Sequence, residues 1–224
     1  TIHQLHRVVD FVASGLENKR YTSGVFLDVS AAFDKVWHTG LLFKLKKIFC
    51  NNFYSILRSF LEDRFFRVRQ GSAYSALRPI EAGVPQGAIL SPVLYNIYTS
   101  DLPTSLDTIT ATYADDTVIL ASSDSPDITS QKIQNHIQQI ESWLRNWKIK
   151  INPTKSTQVT FTLRRETCPS IQLDGTIIPQ SNTVRYLGLH FDRRLTWAHH
   201  IKIKRLQLNS RLKLLHRLLN SKSP

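Results

Sequence analysis

Apolar positions along the chain follow two rhythms. Ile2, Leu5, Val9, Val12 and Leu16 recur every three to four residues, which predicts an opening amphipathic helix. After Gly24 the apolar residues run unbroken over 25–29, the pattern of a buried strand. Residues 41–49 and 53–61 return to helical spacing, with Cys50-Asn51-Asn52 as the break between them. Residues 65–70 alternate as a strand, Gly71-Ser72 turns, and a second strand approaches Ile80. A loop over 83–87 leads into a helix with Pro92 in its first turn, ending near Leu102. The β-rich runs 109–113 and 117–121 flank Asp115-Asp116 and predict a hairpin with both acids at its tip. Ile133, Ile137, Ile140 and Leu144 mark another helix, and Asn152-Pro153 ends the segment after it. Residues 159–163, 171–173, 177–178 and 184–191 read as short strands, with Asp174-Gly175 turning between the middle two. The final helix carries Trp197, Ile201, Leu208, Leu212, Leu215 and Leu219 as one stripe. The mixed order of elements predicts an α+β fold, a mainly antiparallel sheet packed on helices, with a helical module beginning near Leu195.

Composition narrows the choice. With 224 residues and 42% hydrophobic content the chain can bury a core, which excludes a disordered protein. No apolar run is long enough to span a bilayer and no secretory pattern opens the chain, so no membrane partner is expected. Cys50 and Cys168 give neither metal-site spacing nor a disulfide framework, which favours a reducing, intracellular setting, cytoplasmic or nuclear. A net charge of +12 and a pI of about 9.9 favour an anionic partner, nucleic acid foremost. From residue 193 to 224 there are nine Lys or Arg and no acid, and most fall on the face expected opposite the final helix's apolar stripe. A membrane-surface helix would also be basic, so charge alone does not separate the two. The chain lacks methionine and starts inside a helical pattern, as a part of a longer protein would.

Candidate chemistry rests on carboxylates. Asp28 ends the predicted strand over 25–29 among apolar neighbours, where an unpaired charge would be costly. Asp115 and Asp116 stand side by side and repel each other, which a cation would offset. Each feature has an ordinary explanation, a solvated turn for the pair and a loop or cap residue for Asp28. If the hairpin pairs beside the strand ending at Asp28, the acids converge across 87 residues of sequence. Hard oxygen ligands suit magnesium, and two ions roughly 3.5–4 Å apart can activate a hydroxyl and stabilise a leaving oxygen.

Five segments in order carry a resemblance. Residues 26–36 (FLDVSAAFDKV) resemble motif A of reverse transcriptases from non-LTR, LINE-type retrotransposons. Residues 83–92 (GVPQGAILSP) resemble their motif B, Tyr113-Ala114-Asp115-Asp116 motif C and residues 152–156 (NPTKS) motif D. Tyr186-Leu187-Gly188-Leu189 resembles the primer grip. Residues 193–197 (RRLTW) and His200-Ile201 make the jockey-like insect elements the nearest likeness. The resemblance implies a right-hand polymerase palm over 1–192, with a residual fingers-side helix over 1–20 and the start of a basic thumb over 193–224. It implies an RNA template, a DNA primer and deoxynucleotides as partners, and two Mg2+ ions, or Mn2+, as cofactor. Asp28 and Asp115 would be the main metal ligands and Asp116 would complete the cluster. Lys155 would approach the leaving pyrophosphate. Phe33 would stand under the incoming sugar and exclude a 2′-hydroxyl, while Gln86 and Gly87 would face the nascent base pair and template. Tyr186, Leu187 and Gly188 would hold the primer, and Lys202, Lys204, Arg205, Arg211, Lys213 and Arg217 would contact phosphates.

Some residues receive plainer assignments. Asp34 is expected to cap the turn that follows it. His199-His200 lacks further ligands for a metal and is read as a solvated helix face, with phosphate or sugar contact as the alternative. The basic fingers motifs of the family are not among these residues, so the chain alone is expected to be inactive or very weak and to depend on fingers and thumb segments elsewhere. The competing reading is a nucleic-acid-binding relic without catalysis. A palm that makes RNA is a third, opposed by Phe33. A nuclear site of action follows from the resemblance alone.

Overall fold

A computed structural model describes residues 1–215 of the chain. Arg217 and Leu219, assigned above to the final helix, lie outside the described residues. In order the elements are α1 (Ile2–Glu17), β1 (Tyr21–Asp28), α2 (His38–Ile48), α3 (Asn51–Leu61), β2 (Phe65–Phe66), β3 (Arg69–Gln70), β4 (Ala73–Tyr74) and β5 (Arg78–Pro79). There follow α4 (Ser91–Tyr98), β6 (Ile109–Tyr113), β7 (Asp116–Ser123), α5 (Pro126–Asn146), β8 (Thr157–Phe161), β9 (Gln172–Leu173), β10 (Thr176–Ile177), β11 (Thr183–Tyr186), β12 (Leu189–Asp192) and α6 (Ala198–Leu215).

The central sheet runs β6-β7-β1-β8 and every neighbouring pair is antiparallel. Side chains alternate across it. Phe26, Ala111, Val118, Leu120, Val159 and Phe161 face one side, where α1 and the β11–β12 hairpin cover them. Val25, Leu27, Ile119 and Ala121 face the other, against Ile133, Ile137, Ile140, Trp143 and Leu144 of α5. Burial on both faces explains why β1 reads as a continuous apolar run. A third core joins α2, α3 and α4 through Leu41, Leu45, Leu61, Leu94 and Tyr98.

Several boundaries differ from the sequence pattern. β1 begins at Tyr21, because Thr22 and Ser23 are fully buried as ladder residues. The β11–β12 segment is a hairpin rather than one strand, since Leu187 (φ +45°) and Gly188 (φ +84°) reverse the chain and Tyr186 pairs with Leu189. The strand expected over 65–70 is split into β2 and β3, which pair with β5 and β4 as an exposed ribbon. α3 starts at Asn51, so the break between helices is Phe49-Cys50 and both asparagines are helical. α4 stops at Tyr98, and Leu102 lies in the following loop. β8 ends at Phe161, short of Leu163.

The final helix departs furthest. α6 starts at Ala198 and buries none of its residues. At 100° per residue, Ile201, Leu208, Leu212 and Leu215 share a side, but Ile203, Leu206 and Leu214 fall on others. Lys204, Arg205 and Arg211 flank the stripe rather than opposing it, so the two-faced helix expected from the sequence is not what forms.

An ion pair between buried Lys44 and exposed Asp101 ties α2 to the loop after α4 and to the end of α5. Lys44 Nζ donates to Tyr98 O and, at 2.5 Å, to Asp101 Oδ1, and lies 3.6 Å from the centroid of the Trp147 ring. Trp143 Nε1 donates to the same carboxylate at 2.8 Å. Burial lowers the Lys44 pKa, and Asp101 partly offsets this.

Candidate active site

The site forms where β1 ends and the β6–β7 hairpin turns. The hairpin pairs Tyr113 with Asp116, leaving Ala114 and Asp115 as a two-residue loop with Ala114 at φ +53°. Asp116 is therefore the first residue of β7 and not part of the tip. It lies opposite Asp28 in the β1–β7 ladder, so both carboxylates leave the same face of the sheet. Asp28, Asp115 and Asp116 are all exposed; the buried run of β1 stops at Leu27. This corrects the expectation of a charge set among apolar neighbours.

Asp28 is held from behind. Its N–H donates to Ser156 Oγ at 3.1 Å and its carbonyl accepts from Asn152 N at 2.8 Å. Asn152 Oδ1 in turn accepts from Thr154 N and Thr154 Oγ1, an Asx turn that shapes residues 152–156. The turn carries Lys155 to a depression of about 310 Å³ that Asp28, Asp116, Arg185 and Tyr186 also line. Partial desolvation pushes the Asp116 carboxyl pKa up, the Asp115 and Asp28 charges push it the same way, and Arg185 opposes them. Arg185 is absent from the sequence-based site. The alternation Thr183-Val184-Arg185-Tyr186, which points Arg185 away from the core, is the signal that could have found it.

Asp115 does not line this depression. Its charge acts on the buried Tyr95 hydroxyl, whose pKa is raised mainly by burial. Among the described residues no group of three or more acidic, histidine or cysteine side chains is arranged to hold a metal ion. The fold thus brings Asp28 and Asp116 together and leaves Asp115 beside them in the turn.

The loops of residues 29–38 and 82–87 are stitched to each other. Gly83 N donates to Val36 O at 2.9 Å, Val84 N donates to Phe33 O at 2.8 Å, and His38 Nε2 bonds Gly83 O at 2.7 Å. Phe33 is half-buried and stacks on Tyr95 with ring centroids 4.9 Å apart. Gln86 and Gly87 are exposed, and Gln86 Nε2 donates to Asp34 Oδ1 at 2.9 Å. Asp34 therefore reaches across to Gln86 rather than capping its own turn.

Of the Tyr186-Leu187-Gly188 segment, Tyr186 is buried beneath the sheet, Leu187 is half-buried against the same core and only Gly188 is exposed. Burial and the Asp116 charge push the Tyr186 phenol up to about 12. Lys202, Lys204, Arg205, Arg211 and Lys213 ride on α6, away from the carboxylates in the chain but next to this hairpin through β12. His200 Nδ1 accepts from His190 N at 3.3 Å, so one of the two helix histidines serves the β12–α6 contact. No helix among the described residues is long and apolar enough to cross a membrane.

An antiparallel sheet with acids at a strand end and on the neighbouring hairpin, packed against α5 on one face and against α1 and a second hairpin on the other, is the palm of a right-hand polymerase. The family described as "Reverse transcriptase (RNA-dependent DNA polymerase)" matches residues 1–191, and the chain belongs to it. It is 43% identical to the RNA-directed DNA polymerase from mobile element jockey of Drosophila melanogaster, over 90% of this chain and 23% of that protein. It is 38% and 39% identical to the probable RNA-directed DNA polymerases from the transposons BS and X-element of the same fly, over 100% of this chain in each case and 26% and 25% of those proteins. The chain spans about a quarter of the length of these relatives. In fold it is similar to telomerase from Candida tropicalis, solved in complex with a fragment of telomeric RNA (TM-score 0.63, 15% identity, 88% of this chain and 32% of that one). The apo form truncated of its C-terminal domain gives a TM-score of 0.60 at 16% identity, over 88% of this chain and 39% of that one.

Proposed function

We propose that this chain is the catalytic palm of an RNA-directed DNA polymerase, which joins deoxynucleotides to a primer 3′-hydroxyl on an RNA template. The observation that carries the reading is the register of Asp28 on Asp116, with Asp115 next in the turn and Lys155 on the same wall. The donor set is hard carboxylate oxygen, and a divalent cation would offset the partial desolvation and the charge repulsion that together raise the Asp116 pKa, so the residues fit magnesium or manganese. Asp28, Asp115 and Asp116 would hold two ions. Bound there, such ions supply activation of the attacking hydroxyl and stabilisation of the leaving oxygen.

The remaining roles belong to the chain's own groups. Lys155 presents an ammonium beside the acids, suited to the leaving pyrophosphate. Phe33, backed by Tyr95, gives a flat wall that rejects a 2′-hydroxyl. Gln86, steadied by Asp34, offers an uncharged hydrogen-bonding group toward the base pair. The β11–β12 turn and the lysines and arginines of α6 contact primer and template through phosphates, without reading sequence. Residues 1–192 act as palm and α6 begins a thumb, in a protein that works in the nucleus.

The test is extension of a DNA primer annealed to RNA, with deoxynucleotides and magnesium, by the polymerase that contains this chain. The expected result is extension that stops when the metal is chelated. Duplex binding with no metal-dependent incorporation would instead establish a binding relic.

A further inference from the structure

Between β12 and α6 the chain turns a corner that its own backbone resists. Leu195 (φ +50°) and Trp197 (φ +62°) both adopt the left-handed conformation, which costs a non-glycine residue about 1–2 kcal/mol. One side chain holds them there. Asp192 Oδ1 accepts from Arg194 N at 3.1 Å and Thr196 N at 3.0 Å, and Oδ2 accepts from Thr196 Oγ1 at 3.1 Å and Trp197 N at 2.8 Å. Burial alone would raise the pKa of this carboxyl, but its backbone donors more than offset that and hold it below the usual value. The next residue fixes the corner from the other side. Arg193 donates from one guanidinium nitrogen to the carbonyls of Arg164, Arg165 and Glu166 at 2.6–3.0 Å.

The corner decides where α6 points. None of the helix's residues is buried, so core packing along its length does not orient it. Its attachment is at the corner, where Trp197 packs on buried Phe191 with ring centroids 5.3 Å apart and His200 Nδ1 accepts from the backbone of His190. The same corner begins at the end of the β11–β12 hairpin. Backbone strain held in place by an over-determined network clusters at sites where geometry serves function.

We propose that Asp192 is a positioning residue for the template–primer duplex, fixing the angle between the β11–β12 turn and the basic helix so that both grip one duplex together. The inference rests on the polymerase reading above. Rigid connection makes the second contact intramolecular once the first has formed, which raises overall affinity without any new contact. Loosening the corner lowers that gain and leaves the Asp28–Asp116 register untouched.

The experiment uses the polymerase that contains this chain, as wild type, Asp192→Ala and Asp192→Asn, with a labelled DNA primer on an RNA template as probe. Duplex Kd, nucleotides added per binding event and the KM for deoxynucleotide are measured. Asp192→Ala is expected to bind the duplex roughly tenfold more weakly and make shorter products, with deoxynucleotide KM changed less than about twofold. Asp192→Asn, which keeps one acceptor oxygen, should fall between. If the alanine variant fails to fold, the asparagine variant carries the same comparison. Unchanged duplex affinity and product length in a folded variant, or a loss that falls on deoxynucleotide KM, would overturn the proposal. If the wild type binds duplex but extends no primer, the polymerase reading fails, while the affinity comparison still judges Asp192.

Discussion

Replacing Gly83 by alanine tests whether the loops around Phe33 and Gln86 are as tightly interlocked as their hydrogen bonds indicate. Gly83 is buried at φ +93°, where L-residues are strained whatever the space around them. There is also no space. A Cβ would lie 2.7 Å from Asp34 O and 3.0 Å from Asp34 C and Cα, all backbone atoms that cannot rotate aside. Strain of this kind costs about 1–3 kcal/mol, and displacing the 31–38 loop adds to it, so about 3 kcal/mol of destabilisation is expected. Urea unfolding followed by tryptophan fluorescence reads the change, with Trp37 next to the loop as a reporter. The midpoint should fall by about 1 M with an unchanged slope. Gly71→Ala is the control, since Gly71 has φ +62° but nothing within 4 Å of its Cβ position. It should lose about 1 kcal/mol, from backbone conformation alone. Equal midpoints for the two variants would refute the close contact between the loops.

Other expectations follow from particular contacts. Lys44→Met keeps the packing on Trp147 but leaves the Tyr98 carbonyl without its donor, and should lower Tm by about 6 °C from a loss of about 2 kcal/mol; calorimetry measures it, and an unchanged Tm would remove the network from the account. The Asp192 carboxyl has a depressed pKa in the fold, so its stabilisation is full above the unfolded value and disappears as pH falls through the folded one. The stability gap between wild type and Asp192→Asn should therefore narrow below about pH 4, and a gap constant down to acid unfolding would contradict the assignment. Phe33→Ala should cut discrimination against ribonucleotides by about tenfold or more in the polymerase that contains this chain, measured by competing the two sugars. An unchanged ratio would show that the ring does not face the sugar.

Much of the fold was legible because its signals are local. The α1 stripe, the β1 run and the α5 period each announce an element with one core to face, and each is found within a few residues of its expected bounds. The acids were legible as a group because their neighbours in sequence are distinctive. What stayed hidden depends on contacts between distant segments. That Asp28 lies opposite Asp116 rather than Asp115 follows from a ladder register and a two-residue loop, which the tandem pair does not specify. Asp34 looks like a cap until its partner, 52 positions away, is known. Arg185 is an ordinary exposed arginine until the hairpin places it beside Asp116. The stripe on α6 failed for another reason: Leu206 and Leu214 are apolar as well, and a helix with no buried face gives the pattern nothing to select.

Asp28→Asn is the most direct measurement of the central claim. The substitution preserves shape and removes one charge at the end of β1, with its backbone still bonded to Ser156 and Asn152. Single-turnover incorporation and duplex Kd are measured side by side in the polymerase that contains this chain. If Asp28 helps hold the metal ions, the rate should fall by about a thousandfold or more while the duplex Kd stays within about twofold. A rate within tenfold of wild type, or a loss matched by lost duplex binding, would contradict the assignment of Asp28 and its neighbours as the catalytic centre.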